Sequence, residues 1–138
     1  MPKCTDETVE FGRVGRRVVE ASFEGGDIVS DGGVLLLKQV DERLGLTRAA
    51  ALAFGDERRA ASVQHSVHSL LAQRIYGLCL GWSDVCDHNV LRNDLVLQTA
   101  VGRAEPLGSA PTLSRLETAA TSEQAAALHE VLMRQFIA

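Results

Sequence analysis

Three aspartates, Asp84, Asp87 and Asp94, lie close together in the middle of this 138-residue chain. Phosphoryl transfer by two metal ions requires converging carboxylates, because several oxygens must hold each ion while it polarises the reacting phosphate. Asp84 and Asp87 are three residues apart, so a helix would put them on one face. Their spacing also suits plainer tasks. Asp84 falls in the first turn of a helix that can start at Ser83, where the helix dipole favours negative charge, and Asp94 can cap the next helix. Asp87 falls on a solvated face, so capping and solvation account for all three. His65 and His68 could share a metal, as could Cys79, Cys86 and His88, but neither set has CxxC or HExxH spacing. Cys79 lies in an apolar helical run, where cysteine serves as a small hydrophobe. The segment Pro111–Glu117, PTLSRLE, offers a different chemistry. Thr112, Ser114 and Arg115 at a helix start resemble a surface that meets nucleic-acid phosphate, and Arg92 and Arg103 can line the same face. The nine-residue linker Gly102–Ala110 is longer than the three or four residues of a helix-turn-helix, and Ser114 and Glu117 also stand at capping-box spacing.

The elements that must position these residues follow from hydrophobic spacing. Val67, Leu70, Leu71, Ile75, Leu78 and Trp82 recur at three and four, which predicts a helix over about 62–80 with Ser62 as N-cap and Gly81 as stop. Gln64, Gln73 and Arg74 are assigned to its polar face. Helices follow over about 84–92 and 95–101, the first ending at a left-handed Asn93 and the second at Gly102. Turns this short fold the three back on one another, with Leu70, Leu71, Ile75, Leu78, Leu91 and Leu97 buried together. On that reading Leu71→Ala costs about 2–5 kcal/mol. Upstream, residues 1–17 read as a polar arm with Arg13, Arg16 and Arg17, and 18–24 as a single strand without an evident partner. A helix over about 32–44 places Leu36, Leu37, Val40 and Leu44 on one face, and Gly45-Leu46 ends it. Thr47 can cap a short helix over about 48–54. Helices over about 112–119 and 122–137 complete the chain, with Leu128, Val131, Leu132 and Phe136 facing inward on the last. The glycines of GGDIVSDGG are read as turns, since the run lacks both the Walker lysine and GxGxxG.

The run LGWSDVCDHNVLRND, followed by PTLSRLE, resembles the N-terminal region of DDE transposases of the 1380 family of insertion sequences. Gly81, Trp82, Asp84, Asp87, His88, Leu91, Arg92 and Asp94 match that family's pattern, while Ser83, Cys86 and Leu95 depart from it. The resemblance extends upstream through GGDIVSDGGVLLLKQVDERLGL and downstream to Phe136. It implies binding to terminal inverted repeats, with a catalytic domain or full-length transposase as partner. It also implies that the RNase H-like sheet bearing the catalytic aspartates, and the divalent metal such as Mg that they hold, belong beyond residue 138. No residue of this chain then inherits a catalytic role, and no cofactor is expected in it.

Composition bounds the rest. Apolar residues at 46% and charged residues at 23% describe a globular chain. Aromatics at 4% leave the core to Leu, Val and Ala. No apolar run reaches the ~18 residues of a membrane span, the start MPKCTDETVE does not read as a signal peptide, and three unpaired cysteines suit a reducing cytoplasm. The net charge of −4 opposes stand-alone DNA binding, which draws its affinity mainly from phosphate contacts. The expectation is a mainly helical region, 18–138 behind the arm 1–17, with one short strand and no catalytic sheet. Its function is read as DNA binding and scaffolding in transposition. A helical DNA-binding regulator or protein-interaction module is the alternative. The lone strand and the apolar end Gln135-Phe136-Ile137-Ala138 point to a truncated product.

Overall fold

The computed structural model describes residues 8–21, 31–56, 58 and 63–137. Its order is β1 (Val9–Val14), β2 (Arg17–Ala21), α1 (Val34–Leu44), α2 (Leu46–Phe54), α3 (Val67–Cys79), a 3-10 turn (Val85–Asp87) running into α4 (His88–Leu91), α5 (Leu95–Val101), α6 (Ala110–Ala119) and α7 (Ser122–Ile137). The fold is mainly α, as expected. The strand read at 18–24 is found as β2 as far as Ala21, residues 22–24 lying outside the described residues, and it has a partner that the sequence reading missed. Residues taken for a polar arm form β1 and pair antiparallel with β2, from Val9 opposite Ala21 to Val14 opposite Arg17. The pattern was obscured by a register shift between Glu10 and Gly12, which breaks simple alternation. Arg17 fastens this hairpin to the helices, donating to Gln98 Oε1 and to the Ala104 carbonyl, both at 2.9 Å.

Helix ends follow local chemistry. Gly45 takes the left-handed conformation, φ 68°, between α1 and α2, which a residue with a Cβ adopts only at a cost. Ser66 caps α3 by accepting from Ser69 N, and Ser62, the expected cap, lies outside the described residues. Asp84 itself, rather than Ser83, caps the 3-10 turn through Cys86 N at 2.8 Å. Asp94 caps α5 through Leu97 N at 2.7 Å. Asn93 does not turn left-handed; among the described residues only glycines have positive φ. Thr47 does not cap α2. Its hydroxyl donates to Asp41, which also accepts from Thr47 N and Tyr76 OH, so one carboxylate ties α1, α2 and α3 together.

The core joins Val34 and Leu35 of α1 to Ala72 and Tyr76 of α3, Leu91 of α4, Leu97 and Ala100 of α5, and Leu107. Leu70, Leu91 and Leu97 are buried, but Leu71 and Ile75 are only half-buried and Leu78 is 48% exposed. The apolar face assigned to α1 is also turned outward. Leu36, Val40 and Leu44 are exposed and Leu37 half-buried, because α1 packs through Val34 and Leu35. On α7, Leu128 and Val131 are half-buried, whereas Leu132 and Phe136 face solvent. In each case the apolar stripe is wider than the contact available, and the neighbouring helices decide which part of it is covered.

Beneath α3 lies a polar staple that spacing placed on the surface. Gln73 is fully buried; its amide donates to the Gly108 carbonyl at 2.8 Å and to His88 Nδ1 at 3.1 Å, and its Oε1 accepts from Gly108 N at 2.9 Å. The His88 proton therefore sits on Nε2, which has no partner among the described residues. Gly77 makes room for this ring: a Cβ there would lie 2.9 Å from His88 Cε1. Burial, reinforced by the Arg74 charge, holds the His88 pKa below its ordinary value against the opposing pull of Asp87 and Glu117. The unfolded chain thus binds more protons than the fold as the pH drops, and stability is complete only above the unfolded histidine pKa of about 6.5. The urea midpoint should fall as the pH is lowered from there towards the depressed folded value. An unchanged midpoint across that window would mean that His88 is charged in the fold.

Candidate nucleic-acid interface

The start of α6 and the segment before α3 face one groove, which holds two of the candidate residues. Helix α6 begins at Ala110 with Ser109 as N-cap and Pro111 in its first turn, where a missing N–H costs nothing. Thr112 and Arg115 project into a groove of about 790 Å³ lined by residues of α2, α3, α6 and α7 and of the segment between α2 and α3. Phe54, Val67, Leu70 and Leu116 give it an apolar floor, while Arg58, Gln64 and His65 stand with Arg115 among its polar lining. Ser114 is exposed but does not line this groove. It does not cap α6 either, and Glu117, expected to complete its capping box, instead binds Arg74 at 2.7 Å.

Arg92 and Arg103 meet the same region through His65. Arg103 Nη1 donates to the Gln64 carbonyl at 3.3 Å, and Arg58 Nη2 to the adjacent His65 carbonyl at 3.0 Å. Burial and the charges of Arg103, Arg92 and Arg58, in that order, hold the His65 pKa below its ordinary value.

The arginines differ in how far they are already neutralised. Arg58 is tied to Asp56 by two bonds of 2.7 Å, and this pairing lowers the Asp56 pKa. Arg74 is occupied by Glu117 and by the carbonyls of Trp82 and Ser83. Arg103 meets Glu105 only at 3.7 Å, and that carboxylate side chain is 71% exposed, so the pair contributes little. Among the described residues Arg92 and Arg115 have no acidic partner. Among the described residues Arg92 Nε and Arg103 Nε are sealed from solvent without partners, so both side-chain stems are held in the protein. A guanidinium can donate to phosphate oxygens.

The remaining candidates do not assemble. His65 faces the arginines, whereas His68 Nε2 lies 3.1 Å from Thr47 Oγ1, so the two histidines part. His88 is sealed in the staple, and both Cys79 and Cys86 are exposed; Cys79 is not the core residue its apolar run suggested. Among the described residues no three His, Cys, Asp or Glu side chains are grouped as metal ligands. Arg58, Gln64 and His65 were missed as part of this surface. They lie in or beside the connection between α2 and α3, where periodicity is silent; the charged run DERR was the only signal. Among the described residues no helix is long and apolar enough to cross a membrane.

No curated protein and no solved structure matches the chain. Residues 11–138 match the family model described as transposase DDE domain group 1.

Proposed function

Because the chain belongs to the transposase DDE domain group 1 family, we propose that it is the N-terminal helical part of an insertion-sequence transposase of the 1380 family. It contributes contacts to the terminal inverted repeats and scaffolds a catalytic domain that lies outside it. The observation that carries this reading is the groove of an otherwise acidic chain in which Arg115 stands with Arg58 and His65, with Arg103 bonded to the adjoining Gln64 carbonyl. Phosphate contacts made this way fix the position of a duplex without reading its sequence.

The test is a salt titration of wild type and Arg115→Ala on inverted-repeat DNA and on a scrambled duplex. Wild type should bind only in the micromolar range or weaker, with affinity falling steeply as salt rises, and Arg115→Ala should show a shallower salt slope by about one. Equal affinity of both proteins for both duplexes at every salt concentration would remove Arg115 from the surface and favour a protein-interaction module. Attachment to an intact catalytic domain should tighten binding by raising effective concentration.

The chain alone should not cleave DNA with Mg. Asp84 and Asp94 are committed to backbone N–H groups, and on this reading the catalytic carboxylates belong to the proposed partner domain. Metal-dependent cleavage by the purified chain that disappears in Asp87→Asn would overturn this assignment.

A further inference from the structure

Arg13 stands out in the sequence, yet the groove at α6 makes no use of it. It belongs to β1 rather than to a loose arm, and the hairpin that carries it is fastened. Arg17 donates to Gln98 Oε1 and to the Ala104 carbonyl, and a Cβ on Gly15 would stand 3.9 Å from Ala104 Cβ. Beside the hairpin lies a second cleft of about 570 Å³, which Arg13 shares with Lys38 of α1 and Arg48 of α2. The acids of this cleft are already engaged. Asp41 accepts from Thr47 N, the Thr47 hydroxyl and Tyr76 OH, and Glu42 stands 3.6 Å from Lys38. Arg13 and Arg48 are exposed and have no acidic partner among the described residues.

The cleft and the groove share a wall. His68 lines the cleft, whereas Gln64, His65 and Val67, just before it, line the groove. On the other side Gly102 lines the cleft, and the next residue, Arg103, donates to the Gln64 carbonyl at 3.3 Å. Helix α2 likewise runs from Arg48 in the cleft to Phe54 in the groove. We infer that the cleft is a second phosphate-contact surface for duplex DNA, with Arg13 and Arg48 as its contacts, adjoining across this wall the groove that holds Arg115. The inference deepens the DNA-binding reading and rests on it for the ligand. Charge and layout argue for that occupant: each guanidinium can donate to phosphate oxygens, and cations set in two adjoining openings suit an extended polyanion better than one small anion. In a chain of net charge −4, affinity for DNA must come from local concentrations of cations, and the cleft adds contacts that the groove lacks.

The experiment titrates the full chain with a duplex of arbitrary sequence, since phosphate contacts carry no sequence information. NMR follows the amide resonances of Gly15 and Gly102, which line the cleft, and of Gly55, which lines the groove. All three should shift and saturate together. The salt slope of binding is measured in parallel for Arg13→Ala, Arg48→Ala and Arg115→Ala. Arg43→Ala is the control, a basic residue in the last turn of α1 that lines neither opening. Arg13→Ala and Arg48→Ala should each make the slope shallower by about one, and Arg43→Ala should leave it unchanged. A shift confined to Gly55, with wild-type slopes for Arg13→Ala and Arg48→Ala, would overturn the cleft and leave the DNA reading standing. Shifts confined to Gly15 and Gly102 would uphold the cleft and remove the groove, and no shift at any of the three would remove both. An equal change of slope in Arg43→Ala would trace the effect to net charge and overturn the cleft. Shifts at Gly15 and Gly102 that appear without DNA as the protein is concentrated would assign the cleft to a second copy of the chain and overturn the proposal. The resonances report on wild type and need no variant to fold.

Discussion

Gln73→Leu should cost the fold about 3–5 kcal/mol, although the side chains are close in size and the sequence places residue 73 on a polar face. The amide of Gln73 is the sole partner, among the described residues, of Gly108 N, of the Gly108 carbonyl and of His88 Nδ1. Replacing it with an apolar group orphans three buried polar atoms, each worth about 1–3 kcal/mol in lost solvation if water cannot reach it. The upper part of that sum is not realised, because the linker can shift and admit water. Gly108→Ala probes the same joint from the other side. A Cβ there would stand 2.6 Å from Leu70 Cδ2 and 3.1 Å from Gln73 Oε1, which should cost about 1–3 kcal/mol through overpacking. Urea unfolding measures both. A loss below about 1 kcal/mol for Gln73→Leu would mean that the staple is open to water.

Leu70→Ala should be nearly as damaging, at about 2–5 kcal/mol, since Leu70 is 1% exposed and its removal leaves a cavity between α3 and the Gly108 segment. Its neighbour Leu71, which the sequence ranks equally, is only half-buried. Leu71→Ala should therefore cost distinctly less, about 1 kcal/mol, because part of that side chain remains in water in either state. The comparison is internal to one helix, so propensity effects cancel. Denaturant midpoints with unchanged slopes would report the difference as stability alone. Equal losses at 70 and 71 would show that α3 is rotated from the described orientation.

These substitutions bear on the support of the proposed DNA-binding surface. The groove holding Thr112 and Arg115 has Leu70 in its floor, and Gln73, one turn further along α3, fixes the linker that leads into α6. Loss of the staple should therefore disturb the proposed DNA contacts as well as stability, whereas Arg115→Ala should spare stability because its side chain is exposed and has no acidic partner among the described residues. This contrast separates positioning residues from contact residues.

The sequence by itself determined the features that depend on near neighbours in the chain. The mainly helical character, the left-handed Gly45 and the capping role of Asp94 follow from residue types at fixed offsets, because a cap or a turn involves atoms a few residues apart. The ordered motifs around Gly81–Asp94 and Pro111–Glu117 likewise carried the resemblance to DDE transposases, and the family match over 11–138 agrees with it at the level of the domain. Tertiary structure decided what depends on partners far away. Leu36, Val40 and Leu44 satisfy helical periodicity as well as any core stripe, yet they face solvent because α1 packs through Val34 and Leu35. Gln73 reads as polar surface, but the Gly108 backbone, 35 residues away, gives its amide the partners it needs to be buried. Arg58 and His65 have no periodic context, and only folding bonds Arg58 to the His65 carbonyl and Arg103 to that of Gln64. Periodicity records which face of a helix can be covered. The packing of the other helices settles which face is, and the same packing sets Arg58 and Arg103 on successive carbonyls of one turn.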